Sequence, residues 1–446
     1  MKKTHFLGDL FFTQRFFLSW GALVILFLFS YFLPLLFIFT KAAFVFLLIL
    51  SLVDYALLFF TNSKLHLHRV VPDLLSNGDD NKIQLIIQST YNIPLQSMII
   101  DELPLQFQKR DFAIHKSLLA LSKNELHYHV KPTQRGVYLF GNIHTYISSR
   151  LQLVQKRFTA IQEHTVSVYP SFLQLRKFQI RSIPNQQAQS GGRIRYRRGM
   201  STEFDHVKEY TRGDDARTIN WKASARKNEL MVNAFMDEKS QQIFCILDMG
   251  RLMKMPFDNL TLLDYSINAA LMFSYVALQK EDKIGLLTFN EKTNDFLKPS
   301  KSKKQFNAIL ETLYKQQTQF KESNIADVHQ VLLKRAGQRS LLLFFTNFET
   351  YTGFERQLPY LLALNQKHLL CIIFFENTEV SSLHEKTGNQ LEDIYIKTIA
   401  DKFLYEKKMI VKELQKKGIL VIYTAPQKLS ISVVNTYLEL KAKQII

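Results

Sequence analysis

The chain has 446 residues, 47% of them hydrophobic, and a formal net charge of +18. This length allows roughly two to four domains, and the positive charge indicates an acidic partner or surface, such as lipid headgroups. Cys245 and Cys371 are the only cysteines and both lie in apolar runs. This argues against a disulfide framework and a zinc site, and we expect buried, reduced thiols.

An apolar stretch runs from Phe16 to Phe60 and is interrupted only by Pro34, Lys41 and Asp54. A transmembrane helix needs about 20 apolar residues and a signal peptide about 7–15, so the stretch predicts two spans joined by a tight turn. Residues 1–61 are therefore assigned to a transmembrane helical hairpin. Asp54 is either an interfacial residue or an intramembrane partner.

Basic residues flank the outer ends of this hairpin, and only Lys41 lies near its turn. The flanking residues are Lys2, Lys3 and Arg15 before the first helix, and Lys64 and Arg69 after the second. Loops rich in Lys and Arg stay in the cytoplasm. We therefore expect both ends of the hairpin, and all of the soluble chain, on the cytoplasmic side of the bilayer.

Residues 62–182 alternate short strand-like runs with turn signals, which predicts a small β-sandwich. The strand candidates are Lys82–Thr90, Ser97–Pro104, Glu125–Pro132 and Gly136–Ser148.

Residues 241–446 alternate apolar strands with helical patterns, which predicts a doubly wound α/β domain with a parallel sheet. The predicted strands are Ile243–Leu247, Ile284–Phe289, Leu341–Thr346, Leu370–Phe375 and Ile419–Thr424. In such sheets the site lies at the carboxyl ends of the strands, where this chain has Asp248, Asn290, Asn347 and Glu376. No Gly-rich phosphate fingerprint follows a strand, so a nucleotide site is unsupported.

Residues 183–240 form a linker and a highly charged segment between these domains. A run of arginines, Arg193, Arg195, Arg197 and Arg198, opens it. These side chains either bind an anion or pair with the acidic residues that follow. Only Tyr196 is interleaved with them, so the run lacks the stacking aromatics typical of nucleic-acid binding.

The charged segment itself mixes both signs of charge with aromatic residues. We predict that Tyr210 and Trp221 are buried there, as a joint between the domains, and that Asp214, Asp215 and Arg217 are paired within the protein. Two adjacent carboxylates could instead hold a metal. No catalytic constellation is visible, and Ser224 has no His/Asp partner arrangement.

The spacing of this segment resembles the signature of the bacterial membrane-associated family catalogued as domain of unknown function fifty-eight. The matching residues are Glu203-Phe204, Glu209-Tyr210, Gly213-Asp214-Asp215, Arg217, Asn220-Trp221-Lys222, Ala225-Arg226, Leu230 and Val232. A second element of the family stands as Pro132, Arg135, Gly136 and Tyr138. The resemblance extends over nearly the whole chain.

The resemblance implies a von Willebrand factor A-like carboxyl-terminal domain, a place in the bacterial inner membrane, and partnership with a MoxR-type AAA+ ATPase that assembles or activates envelope proteins. Such domains bind Mg²⁺ through Asp-x-Ser-x-Ser, but here both serines after Asp248 are missing and Arg251 adds a cation. Mg²⁺ prefers several oxygen ligands. We therefore expect no cofactor, with Asp248 and Asp327 as the candidates if a metal binds.

Three functions remain open at this point. The first is a non-enzymatic interaction protein that uses the signature residues Glu203, Glu209, Tyr210, Gly213, Asp214, Asp215, Arg217, Trp221, Lys222 and Arg226. The second is a Mg²⁺-dependent binding module, and the third is an enzyme acting on an acidic or phosphorylated substrate.

Overall fold

The computed structural model describes residues 8–61, 63–171, 203–236, 240–318, 320–380, 391–443 and 445. The chain divides into two compact units, Met1–Tyr169 and Pro170–Ile446. The apolar helices and the β-rich region therefore belong to one unit, although the sequence analysis divides them at residue 61. The arginine run 193–198 lies outside the described residues.

Two apolar helices follow a short strand at the start of the first unit. The strand is β1 (Leu10–Phe12), and the helices are α1 (Gln14–Ser30) and α2 (Pro34–Phe59). Residues Leu36–Phe59 of α2 are long and apolar enough to cross a membrane, whereas α1 is a shorter apolar helix. The structure thus supports one candidate span and places a second apolar helix against it.

The β-rich region of the first unit has three sheets, in the strand orders β1-β10-β9-β5-β6, β3-β11-β8 and β2-β4-β7. Their strands are β2 (Leu65–Val70), β3 (Leu74–Ser76), β4 (Asn81–Ser89), β5 (Leu95–Asp101), β6 (Ala113–Leu118), β7 (Lys123–Val130), β8 (Gly136–Phe140), β9 (Ile143–Ser148), β10 (Val154–Ala160) and β11 (His164–Tyr169). Alternating side chains of these strands share one apolar core. The predicted β-rich region is confirmed.

One predicted strand of this region, Gly136–Ser148, is in fact two. The chain passes from β8 in one sheet to β9 in another at Gly141 and Asn142. The Glu102 carboxylate accepts the backbone N–H of Asn142 at 2.8 Å, and a Cβ at position 141 would lie 2.3 Å from that carboxylate. The crossing therefore requires a glycine at position 141. The apolar pattern of residues 136–148 does not show that two strands meet there.

The second unit contains a six-stranded sheet in the order β18-β17-β14-β19-β20-β21, in which only the edge strand β18 is antiparallel. The strands are β14 (Gln242–Asp248), β17 (Lys283–Phe289), β18 (Thr293–Ser300), β19 (Leu341–Phe345), β20 (Leu369–Phe375) and β21 (Leu420–Thr424). A small hairpin, β15 (Pro256–Phe257) with β16 (Leu260–Thr261), follows β14. The five parallel strands match the five predicted ones, and β18 was not predicted.

Helices cover both faces of this sheet, because separate apolar clusters pack on its two sides. They are α4 (Leu262–Gln279), α5 (Lys303–Lys315), α6 (Ile325–Arg335), α7 (Tyr351–Lys367), α8 (Leu391–Lys416) and α9 (Leu429–Ala442). Cys245 and Cys371 are buried free thiols in adjacent parts of the sheet, and burial raises the pKa of each to about 12. The carboxyl ends of the parallel strands lie side by side at one end of this sheet, where ligands bind in open α/β sheets.

Candidate functional site

The charged segment forms a two-stranded antiparallel hairpin, β12 (Glu203–Glu209) with β13 (Met231–Met236). Residues 210–230 connect its strands, and we call them the signature loop. The loop closes where the Tyr210 N–H donates to the Leu230 carbonyl at 2.8 Å. It contains a short helix, α3 (Trp221–Lys227), after a 3₁₀ turn.

The first turn of the signature loop is built by Gly213 and Asp214. Gly213 has a φ of 113°, a region that favours glycine. The Asp214 carboxylate then accepts the backbone N–H of Thr211 at 2.9 Å and the Lys208 ammonium at 2.9 Å. These bonds lower the pKa of Asp214 to about 2, and the backbone N–H of Thr211 makes the largest contribution. The predicted pairing of Asp214 within the protein is confirmed.

The second half of the loop is held by Asn220 and Ser224. The Asn220 side chain caps α3 by accepting the Ala223 N–H at 3.0 Å, and its amide donates to Asn233 on β13 at 2.9 Å. The Ser224 hydroxyl donates to the Asn220 carbonyl and accepts the Met231 N–H. Ser224 therefore fastens α3 to β13.

The aromatic residues of the loop are not buried, so the prediction for Trp221 and Tyr210 was wrong. Trp221 is 70% exposed and Tyr210 is 36% exposed. The physical reason is that the hydrogen bonds of Asn220 and Ser224 hold α3 and the loop in place without the indole. The cationic residues Arg217, Lys222 and Arg226 of the same loop are also exposed. The loop thus exposes an aromatic ring and three cationic side chains.

The remaining signature residues have more local roles. The Asp215 carboxylate accepts the backbone N–H of Arg217 at 3.0 Å and caps the 3₁₀ turn, so its partner is the backbone rather than a guanidinium. Glu209 is exposed at the end of β12. Glu203 lies at the start of the same strand.

A second candidate site, which we call the strand-end face, lies where β14, β19 and β20 end. Asp248 is 1% exposed there. Its carboxylate accepts the Ser323 hydroxyl at 2.5 Å, the Thr346 hydroxyl at 2.7 Å and the Gly250 N–H at 2.8 Å. Burial, opposed by these bonds, raises the pKa of Asp248. Neither hydroxyl lies in the segment 248–252, where the pattern has its two serines: Ser323 comes from a loop far along the chain, and Thr346 directly follows β19.

Gly250 stands where the metal-binding pattern has its first serine. A Cβ at this position would lie 2.0 Å from the Ser323 oxygen and 3.0 Å from Asp248. The Ser323 hydroxyl therefore occupies the space that a side chain at position 250 would need.

This donor set fits Mg²⁺ poorly. Of the three carboxylates that line the cavity, Asp248 is already bonded to three internal donors and Glu322 pairs with Arg251, and Arg356 adds a second cation. Asp327 does not complete the set, because its carboxylate accepts the backbone N–H and the hydroxyl of Thr293, both at 2.7 Å. Among the described residues no group of three or more His, Cys, Asp or Glu side chains could hold a metal ion.

Two cavities of about 220 Å³ each open on the strand-end face and share Leu252, Asn347 and Glu349. The first is polar and contains Asp248, and the second is mainly apolar and contains Lys407 from α8. The Lys407 ammonium donates to the Asn347 side chain at 2.5 Å. Burial, opposed by Glu349, lowers the pKa of Lys407 to about 8. Sequence reasoning missed this lysine, because one charge in an amphipathic helix gives no signal of burial.

Residues 206–383 match the family described as "Protein of unknown function DUF58". Residues 206–383 belong to this family. The DUF58 region therefore includes most of the β12–β13 hairpin and the sheet as far as the segment after β20, and the predicted family is confirmed.

A curated relative of this chain is the uncharacterized protein YeaD of Bacillus subtilis (strain 168), 26% identical over 180 residues. The match covers 39% of this chain and 45% of the relative, so the chain spans under half of that protein's length.

Two solved structures illustrate the structural likenesses. BatB of Bacteroides thetaiotaomicron, a conserved hypothetical protein, is 11% identical with a TM-score of 0.30, over 46% of this chain and 100% of that one. The CARDB domain of the PF1109 protein from Pyrococcus furiosus is 16% identical with a TM-score of 0.18, over 24% of this chain and 93% of that one. At such scores neither likeness supports an assignment of function.

Proposed function

We propose that this chain is a membrane-anchored, cytoplasm-facing interaction protein whose signature loop binds a MoxR-type AAA+ ATPase in the assembly or activation of envelope proteins. The observation that supports this most directly is the exposure of Trp221 in a loop that also exposes Arg217, Lys222 and Arg226. Trp and Arg are the residues that dominate binding energies at protein interfaces. A partner surface with acidic side chains would complement the three cations of the loop.

Two structural parts of the proposal concern the anchor and the second unit. We propose that α1 and α2 both span the bacterial inner membrane, since the basic residues flank their outer ends. We also propose that the six-stranded sheet is of the von Willebrand factor A type, supported by its strand order with a single antiparallel edge strand, β18. Its strand-end face would then act without metal.

The test is affinity purification of the full chain from native membranes in mild detergent. We expect the wild-type chain to recover a MoxR-type AAA+ ATPase, and Trp221→Ala to weaken binding of the purified ATPase about 30-fold, as for an interface residue worth about 2 kcal/mol. The matched control is Phe320→Ala, since Phe320 is also exposed, at 78%. Equal binding by the two variants, or recovery of no such ATPase, contradicts the proposal.

Two alternatives stay as predictions of the sequence. A Mg²⁺-dependent module would show a rise in melting temperature on Mg²⁺ titration of the purified chain. An enzyme acting on a phosphorylated or acidic substrate through Asp214, Asp215 and the arginine run would lose turnover in Asp214→Asn and in Asp215→Asn without unfolding. We expect neither result, because Asp248 and Asp214 are both bonded to groups of the protein itself.

A further inference from the structure

One segment of the β-rich region holds both apolar helices: Ser149–Val154, the loop after β9 together with the first residue of β10. Asp54 of α2 is fully buried against it, and its carboxylate accepts the Ser149 hydroxyl and the backbone N–H groups of Leu153 and Val154, the last two at 2.9 Å. Thr13, which caps α1, donates its backbone N–H to the Leu153 carbonyl at 3.1 Å. The partner of Asp54 is therefore the β-rich region, and the two helices leave it from one fixed place.

This attachment determines where the apolar span of α2 ends. Beyond Asp54 the helix enters the protein core, where Leu58 is fully buried and its carbonyl accepts the Tyr91 hydroxyl at 3.1 Å. Residues 36–53 would extend about 27 Å at 1.5 Å per residue, close to the thickness of a hydrocarbon core of about 30 Å. A carboxylate with its polar partners does not enter hydrocarbon without cost. The loop Ser149–Val154 consequently lies at the level of one membrane interface.

The tip of this loop has the composition of an interfacial contact. Arg150 and Leu151 are both exposed, Leu151 at 38%. At the same end of α1, Phe12 is 46% exposed and Arg15 lies in the first helical turn. Cations beside apolar side chains bind anionic headgroups while the apolar groups enter the acyl boundary.

We propose that the loop Ser149–Val154 is a membrane-contact loop, in which Arg150 binds the phosphate groups of anionic phospholipids and Leu151 inserts at the acyl boundary. The β-rich region then rests on the bilayer surface rather than on a flexible stalk. The proposal rests on the membrane anchor of the proposed function but not on the ATPase partner.

The test attaches an environment-sensitive fluorophore to single introduced cysteines in the full chain. Because burial raises the pKa of Cys245 and Cys371 to about 12, these native thiols stay unlabelled. The protein is reconstituted into phosphatidylcholine vesicles with or without phosphatidylglycerol and with spin-labelled lipids as quenchers. We expect the label of Leu151→Cys to be quenched by lipids spin-labelled near the headgroup, and more strongly in the anionic vesicles.

The matched control is Ile161→Cys, because Ile161 is 68% exposed just beyond the other end of β10, about 23 Å away along the strand. Its label should stay unquenched. Arg150→Gln, combined with Leu151→Cys, should abolish the difference between the two lipid compositions.

A label at Val45→Cys, in the apolar part of α2, reports whether the helix is inserted. Quenching at position 45 without quenching at position 151 overturns the contact loop while leaving the anchor intact. Absence of quenching at both positions overturns the anchor and the loop together. Either result is independent of the ATPase experiment.

Discussion

The strand-end face and the signature loop both contain aspartates beside arginines, yet they use them differently. At the strand-end face Asp248 is buried and bonded to three internal donors, and burial raises its pKa. In the signature loop Asp214 forms the turn, its pKa is lowered to about 2, and Trp221 is left exposed. At the strand-end face the protein's own hydroxyl and N–H groups therefore occupy the Asp248 carboxylate. The signature loop instead exposes the apolar ring of Trp221.

The largest expected effect is that of Asp248→Ala. The substitution leaves the Ser323 and Thr346 hydroxyls and the Gly250 N–H without their buried acceptor. Each orphaned donor costs about 1–3 kcal/mol, so we expect the free energy of unfolding to fall by about 4 kcal/mol in urea denaturation. The control Asp248→Asn keeps an acceptor oxygen and should lose less. Unchanged stability of Asp248→Ala would mean that the three hydrogen bonds to Asp248 do not stabilise the strand-end face.

The next effect is the pH dependence caused by Lys407. Its pKa of about 8 in the folded chain lies below the usual 10.5, so the unfolded chain binds more protons between these values and stability rises with pH there. The gain should be roughly 3 kcal/mol between pH 7 and pH 11. Lys407→Met should lose this gain, whereas Lys408→Met, at an exposed lysine of the same helix, should keep it. If the free energies of unfolding of the two variants changed equally with pH, the burial of the Lys407 ammonium would be contradicted.

Gly250→Ala tests the packing of the strand-end face with a smaller change. The added Cβ would meet the Ser323 oxygen at 2.0 Å, and overpacking of this kind costs about 1–3 kcal/mol. We expect a lower melting temperature, with partial recovery in the double variant Gly250→Ala with Ser323→Ala, which removes the opposing hydroxyl. Additive losses in the double variant would show that the two positions do not compete for space.

The smallest effect concerns Asp214 and tests the signature loop rather than the strand-end face. Because its folded pKa is lowered to about 2, its contribution to stability is present above the usual 3.8 and disappears as the pH falls through the folded value. A carboxyl NMR titration should show Asp214 ionised at pH 3, and Lys208→Met should raise its pKa. A titration near the ordinary value would mean that the turn is open in solution.

Much of the second unit can be predicted from its sequence. Five continuous apolar runs such as Leu341–Thr346 define buried parallel strands, because only a sheet covered on both faces tolerates them. The edge strand β18 could not be predicted in this way, since Thr293–Ser300 is largely polar and its apolar and polar residues do not alternate regularly. The family could likewise be predicted, because its signature uses unusual residues at fixed spacing.

The side-chain contacts of the candidate surfaces were harder to predict, for different physical reasons. Trp221 was expected to be buried because it is aromatic, but the Asn220 cap and the bonds of Ser224 satisfy the loop without it. The contacts of Asp54 and Asp248 join residues far apart in the chain. Local patterns contain no information on such pairs, so the roles of these carboxylates could not be predicted from the sequence.

The most direct test of the contrast between the two regions is site-specific photocrosslinking in native membranes. A photoreactive amino acid is placed at position 221 in the signature loop and, separately, at position 356, since Arg356 lines the polar cavity of the strand-end face. We predict that position 221 yields an adduct whose mass spectrum identifies a MoxR-type AAA+ ATPase, and that position 356 does not. An ATPase adduct at position 356 alone, or no ATPase adduct at position 221, would contradict the signature loop as the binding surface.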